Sequence, residues 1–386
     1  MNGFVFNAPK QIICEPNAAA QIGEICLRMI GERVLIVTDQ GIINAGLLQP
    51  ILSTLIQAGV KPTVFDRVLA DPAESIVLAA TDLAINERVD GVIGLGGGSS
   101  MDVAKLVALL AKGEEQLQDI YGVNLVKGQR LPLIQIPTTA GTGSEVTTVA
   151  IITVGDIEKK GVVSAQLMPD LALLDAQLTI GLPPIVTATT GIDAMVHAIE
   201  AYTSRGKNHN PVSDTLAREA LVMLGANIET AVKEGTNLAA RSNMLLGSML
   251  AGQAFANSPV AAVHALAYPL GGIYHLSHGL TNALVLPHVM RFNQLVCADQ
   301  YAALAPLVFP KLAGIKGDLP RSNAFIDALA KLSADLIKKV RLRDYDIQES
   351  ALLLLASEAM KQSRLLVNNP REMTLAHALE IYQAAW

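Results

Sequence analysis

The seven histidines of this chain are unevenly placed: none precedes His197, and four fall between 264 and 288 in "VHALAYPLGGIYHLSHGLTNALVLPH". Asp193 and His197 stand four residues apart in "GIDAMVHAIE". If that stretch is helical, the two side chains share a face, about 5–6 Å apart at Cβ. One carboxylate and three imidazoles would make a four-donor set for Fe2+ or Zn2+. With neutral histidines such a site keeps a single net positive charge. That balance suits alcohol oxidation, because the cation lowers the hydroxyl pKa while hydride leaves carbon. A plainer account is also available. Thr190, three residues before Asp193, makes Asp193 the N3 residue of a possible capping box. His197 would then be a core or surface histidine. His264 sits amid small apolar residues, where a satisfied core histidine is the commoner outcome. His278 precedes Gly279, which suggests a turn, and His275 and His288 fit surface or structural positions.

A second feature is "VIGLGGGSSMDVAK" (92–105), a strand pattern, a glycine cluster and a helix start. Gly96, Gly97 and Gly98 allow a sharp turn and a close ligand approach. Ser99 and Asp102 have capping-box spacing, which would place a helix N-terminus directly after the glycines. Backbone N–H groups and the positive helix end there attract phosphate. Neither GxGxxG nor the Walker A pattern is matched, and a plain strand–helix turn with a good cap remains open. Asp39 closes the run "RVLIVTD"; a carboxylate there can accept from a ribose 2′-hydroxyl, or serve as an ordinary turn aspartate. A second polar loop, "PTTAGTGSEVT" (137–147), carries Thr138, Thr139 and Thr142, with Thr142 and Glu145 forming another possible capping box.

These loops need strands and helices to hold them. Short β-branched runs at 33–39, 61–66, 89–96, 131–137 and 171–176 alternate with helical patterns. That order implies crossover connections and a mostly parallel sheet. "TTVAIITVGDIEKKGVVS" reads as an appended hairpin. After Pro183–Pro184 the pattern becomes helix after helix. We therefore expect an α/β nucleotide-binding domain over 1–181 and an all-helical domain over 182–386.

Composition narrows the function classes. The 386 residues are 51% hydrophobic and carry a net charge of −6, so there is no basic footprint for nucleic acid. Cys14, Cys26 and Cys297 are widely spaced and odd in number, which argues against a disulfide framework. No apolar run approaches the roughly 18 residues of a membrane span. The N-terminus lacks an apolar h-region. Together these point to the cytoplasm and to no membrane partner.

"GGGSSMDVAK", "IPTTAGTGSE", "GIDAMVHAIEAYTS" and "VHALAYPLGG…HGLTNALVLPHVMRFN" resemble the motifs of the iron-containing (group III) alcohol dehydrogenases, in the same order and over the whole length. The resemblance implies a Rossmann-like α/β N-terminal domain and an all-α C-terminal domain, the dehydroquinate-synthase-like architecture, with a cleft between them. It implies metal ligands at Asp193, His197, His264 and His278, with Fe2+ expected and Zn2+ possible. NAD would lie along Gly96, Gly97, Gly98 and Ser99, followed by Asp102. Thr138, Thr139 and Thr142 would line it, with Lys159 nearby. Asp39 matches members that prefer NAD over NADP, and Phe255 would border the substrate pocket. The substrate would be a primary alcohol or small diol, or its aldehyde, and the assembly a homodimer or larger homo-oligomer. One position departs from many members: Tyr268 stands where a second late histidine is common. A phenol with an ordinary pKa near 10 is a poorer proton shuttle at neutral pH than imidazole. Tyr268 or His275 would then carry the relay. Rival expectations are a zinc-dependent, glycerol-dehydrogenase-like polyol enzyme, a metal-free maleylacetate reductase, and a non-catalytic nucleotide-binding module.

Overall fold

The computed structural model describes residues 3–155 and 158–386. These fall into two compact units, one spanning Asn7–Gly181 and the other Leu182–Trp386 with residues 3–6. The first unit contains strands β1 (Gln11–Cys14), β2 (Arg33–Val37), β3 (Lys61–Phe65), β4 (Gly91–Gly96), β5 (Gly122–Val123), β6 (Leu133–Pro137), β7 (Val149–Val154), β8 (Glu158–Val163) and β9 (Leu171–Leu174). Its helices are α1 (Ile22–Met29), α2 (Gln40–Asn44), α3 (Leu48–Gln57), α4 (Glu74–Asn86) and α5 (Gly98–Leu110).

Six strands form one sheet in the order β1-β9-β6-β4-β2-β3, and every pairing in it is parallel. Successive residues of a strand point to opposite faces. Leu35 and Val37 accordingly enter one hydrophobic core, while Val34 and Ile36 enter the other. Burying each such side chain contributes about 1.5–3 kcal/mol relative to exposure. A sheet covered on both faces reads as unbroken apolar runs, which is why its inner strands are visible in the sequence. The edge strand β1 is not, since "QIIC" is four residues long and exposed at both ends. The β7–β8 hairpin forms and is antiparallel, but it is not appended to the first sheet: it joins β5 in a second sheet, β5-β8-β7.

The second unit is helical: α6 (Pro184–Thr203), α7 (Pro211–Lys233), α8 (Leu238–Asn257), α9 (Ala262–Tyr274), α10 (His278–Val308), α11 (Asp318–Ile337), α12 (Leu352–Met360), α13 (Ser363–Leu366) and α14 (Leu375–Ala385). Helix α6 opens with Pro183 and Pro184, whose fixed φ suits a first turn. It is buried on nearly all sides, including Ala188, Ala194, Ala198 and Ala201. The first turn of α10 crosses it closely: a Cβ on Gly279 would stand 2.4 Å from the Thr189 carbonyl oxygen. Only glycine permits that approach, which brings His278 down to α6.

One boundary differs from expectation. Residues 3–6 belong with the second unit rather than with an N-terminal domain starting at residue 1. Val5 donates its backbone N–H to Asn208 Oδ1, and Asn208 Nδ2 donates back to the Val5 carbonyl, at 2.9 and 2.8 Å. Residues 3–6 are too few to carry a periodicity that would announce such a pairing. No helix among the described residues is long and apolar enough to cross a membrane.

Candidate metal centre

Helix α6 supplies Asp193 and His197 one turn apart, both buried, α9 supplies buried His264, and α10 opens with His278. The donor atoms of these four residues all lie within 4.8 Å of one another. The capping-box account of Asp193 fails because the helix starts nine residues earlier, at Pro184. Thr190 is interior to it and donates its hydroxyl to the Val186 carbonyl at 2.8 Å. Nor does His278 sit in a turn; it is the first helical residue after Ser277.

The rings pack together. His197 stacks on His264 with centroids 4.7 Å apart, His264 meets His278 at 5.2 Å, and Phe255 stacks on the other side of His197 at 4.3 Å. His278 is the open member, its side chain 38% exposed, with Nε2 3.6 Å from Asp193 Oδ1. Burial pushes the Asp193 carboxyl upward. The imidazoles of His197, His278 and His264 and the Asn282 amide together outweigh it and hold that carboxyl below its usual range.

Two supporting residues escaped the sequence reading. Glu200 is buried and takes the Val263 N–H on Oε1 at 2.7 Å and His264 Nδ1–H on Oε2 at 2.6 Å. That bond fixes the tautomer and leaves His264 Nε2 as the donor for a cation, the usual carboxylate–histidine support of a metal ligand. Glu200 follows Asp193 and His197 at helical spacing, so the stripe was there to be read. Asn282, one turn after His278, directs its amide nitrogen at Asp193 Oδ1 at 2.6 Å. A carboxylate and neutral imidazoles with one ring so oriented are donors that suit a divalent cation.

The proposed relay residues separate. Tyr268 lies near the cluster, its ring 6.0 Å from that of His278. His275 caps α9 in the left-handed region, φ 54°, and is exposed, and no ring contact joins it to the cluster among the described residues. His288 is elsewhere on α10; burial, with Arg291 nearby, pushes its imidazole down to about 4, so it stays neutral.

In the first unit, β4 ends at Gly96 with φ 149°, a conformation that strains any side chain, and α5 begins at Gly98 after Gly97. The Ser99–Asp102 capping box does not form: no side chain caps α5. Its first N–H groups are thus left by the protein's own side chains, the condition under which a helix end suits an anion. Asp102 turns instead toward the neighbouring segments, accepting from Ser144 Oγ at 2.6 Å and from the Ile151 N–H at 2.9 Å. Asp39 caps α2, accepting from the Ile42 N–H at 3.2 Å, and also accepts from Ser100 Oγ at 3.0 Å. It therefore joins the end of β2 to the first turn of α5 while serving as a turn aspartate.

The second polar loop packs on the first. Thr138 is buried, the Thr139 side chain lies over Gly97, and the Thr142 methyl lies over Gly98. Thr142 and Glu145 do not form a capping box. Gly143, in the left-handed region, precedes a short 3-10 turn, and Glu145 is buried, its carboxyl pushed up to about 7 by burial. Under this loop lies Lys105, also missed in the sequence and wholly buried. It donates to Ser144 Oγ at 2.7 Å, Thr147 Oγ1 at 2.9 Å and the Val149 carbonyl at 2.7 Å, with Asp102 at 3.5 Å. Lys159, on β8, pairs with Asp71 at 2.6 Å and donates to Thr153 Oγ1 at 3.0 Å.

The chain matches the family model for iron-containing alcohol dehydrogenases over residues 9–176, and the C-terminal model of the same family over residues 187–386. It is 38% identical over 365 residues to long-chain-alcohol dehydrogenase 1 of Geobacillus thermodenitrificans, covering 93% of this chain and 91% of that one. A crystal structure of 1,3-propanediol oxidoreductase superposes with a TM-score of 0.95 at 34% identity, covering all of both chains. Sulfoacetaldehyde reductase from Bifidobacterium kashiwanohense in complex with NAD+ superposes with a TM-score of 0.88 at 28% identity, covering 100% of this chain and 99% of that one.

Proposed function

The chain belongs to the iron-containing alcohol dehydrogenase family, and from that premise we propose that it interconverts a primary alcohol or small diol with its aldehyde, using NAD and Fe2+. The observation that carries this is the convergence of Asp193, His197, His264 and His278 within 4.8 Å. The family match does not favour the zinc-dependent polyol enzyme.

A divalent cation held by these four residues supplies Lewis acidity that lowers the pKa of an alcohol hydroxyl. Around it the chain's own groups divide the remaining work. Glu200 holds His264 in the tautomer whose Nε2 faces its neighbours. Phe255 covers the face of His197 and keeps water from that side. Tyr268, its ring 6.0 Å from that of His278, is a nearer relay residue than exposed His275: its hydroxyl would accept the departing proton only as it passes its own phenol proton on to solvent. In the nucleotide half, Gly96, Gly97, Gly98 and Ser99 hold the pyrophosphate on backbone N–H groups. Asp39 accepts from the ribose and repels a 2′-phosphate. Thr138, Thr139 and Thr142 border the nucleotide, Lys159 lies at the hairpin side, and Asp102 acts by fixing the loops.

The nature of the relatives, a long-chain-alcohol dehydrogenase and a propanediol oxidoreductase, supports an alcohol substrate without choosing its length. We assign the working form to a cytoplasmic homo-oligomer, a dimer or larger; three unpaired cysteines fit a reducing compartment. Purified protein given Fe2+, NAD and a panel of short primary alcohols and diols should form NADH. Failure with every alcohol, at full metal loading, overturns the assignment.

A further inference from the structure

We propose that Asn282 is a positioning residue of this metal centre: its amide nitrogen sets the orientation of the Asp193 carboxylate and thereby the cation affinity of the four-residue cluster. The inference rests on the preceding reading of that cluster as a metal site.

Asn282 lies one turn beyond His278, so both project from the same face of α10. Its side chain is fully buried. Nδ2 stands 2.6 Å from Asp193 Oδ1, 3.2 Å from His278 Nε2 and 3.3 Å from His264 Nε2. The shortest of these contacts is to the carboxylate, which is its principal acceptor. The other end of the amide, Oδ1, is buried without a hydrogen-bond partner. Buried amide oxygens are normally satisfied, so this orientation needs a reason. Turning the amide over would put two oxygens 2.6 Å apart with no proton between them. The orphaned carbonyl is what the arrangement accepts to keep an N–H on Asp193. With one Oδ1 lone pair engaged, the carboxylate is held against rotation, its Oδ1 3.6 Å from His278 Nε2. Glu200 does the equivalent for His264 from the opposite side, through Nδ1.

Co2+ provides the test, because its visible absorption bands report ligand geometry. Chelator competition gives its affinity, and NAD titration monitors the rest of the protein. In N282A, Co2+ affinity should fall 10–100-fold, the range typical for lost outer support of a ligand, while NAD affinity holds. In N282L, which keeps the branched shape but removes the N–H without adding a donor atom, the Co2+ bands should shift. Parent-like affinity in N282A, or parent-like bands in N282L, overturns the proposal. If N282A does not fold, the bands of near-isosteric N282L decide alone. A parent protein that binds no Co2+ defeats the metal reading and this inference with it, whereas a binding parent with indifferent variants defeats only the role of Asn282.

Discussion

The two functional regions are built from different materials. The metal cluster is made of side chains: four donor groups brought together by three helices, with His264 braced by buried Glu200 and Asp193 by buried Asn282. The glycine loop is made of backbone: Gly96, Gly97 and Gly98 contribute N–H groups and the absence of side chains, and α5 starts without a side-chain cap. A side-chain site fails when a functional group is removed. A backbone site fails when an atom is added. The difference matches the proposed ligands, since a cation needs lone pairs at fixed points and a pyrophosphate needs several donors and room.

The largest effect should come from the side-chain region. His264→Ala removes one donor and strands Glu200, and turnover should drop about 1000-fold, the rate equivalent of the several kcal/mol that a Lewis acid contributes. Metal content by elemental analysis should fall in parallel while NAD affinity stays put. Loss of NAD affinity as well would mean the two regions are not separable. The reciprocal change is Gly96→Ala. A Cβ there would stand 2.9 Å from Ser100 and 3.1 Å from Asp39, at φ 149°. Strain of this kind costs about 1–3 kcal/mol, so NAD affinity should weaken roughly tenfold by fluorescence titration with metal content intact. Parent-like NAD binding would show that the loop tolerates a side chain.

The smallest effect concerns the loop packed against it. Glu145 has its folded pKa raised from 4.5 to about 7, chiefly by burial. A carboxyl raised in this way favours the fold below its unfolded pKa, and that stabilisation is lost as pH rises through about 7. Glu145→Gln removes the cost of burying the charge, so it should raise Tm at pH 8 by a few degrees and change it little at pH 5. An equal change at both pH values would show that Glu145 carries no ionisation penalty.

Much of this was legible because chemistry and burial leave patterns. The inner strands of the parallel sheet show as β-branched runs, and the second unit is helix after helix, as the pattern beyond Pro183–Pro184 implies. The histidine-rich stretch and the Asp193–His197 pair gave the cluster. What misled was spacing taken without knowing where an element begins. Thr190–Asp193, Ser99–Asp102 and Thr142–Glu145 all have capping-box spacing, yet none caps a helix, because their helices start elsewhere or are single 3-10 turns. What was missed was partnership over long sequence separations. Lys105 looks like any helical lysine until residues some forty positions later fold over it. Asn282 gains its meaning from a carboxylate 89 residues earlier.

The interior lysine has a further consequence for conditions of use. Solvent-exposed pairs such as Lys331–Asp335 are screened once ionic strength shortens the Debye length to a few ångströms, about 3 Å at molar salt. Lys105 is beyond the reach of mobile ions, and most of its contacts go to hydroxyl and carbonyl oxygens rather than to a free counter-charge. The tie between α5 and the loop around Ser144, the pair proposed to flank the nucleotide, is therefore a brine-insensitive rivet, even while the protein's outer electrostatics are switched off.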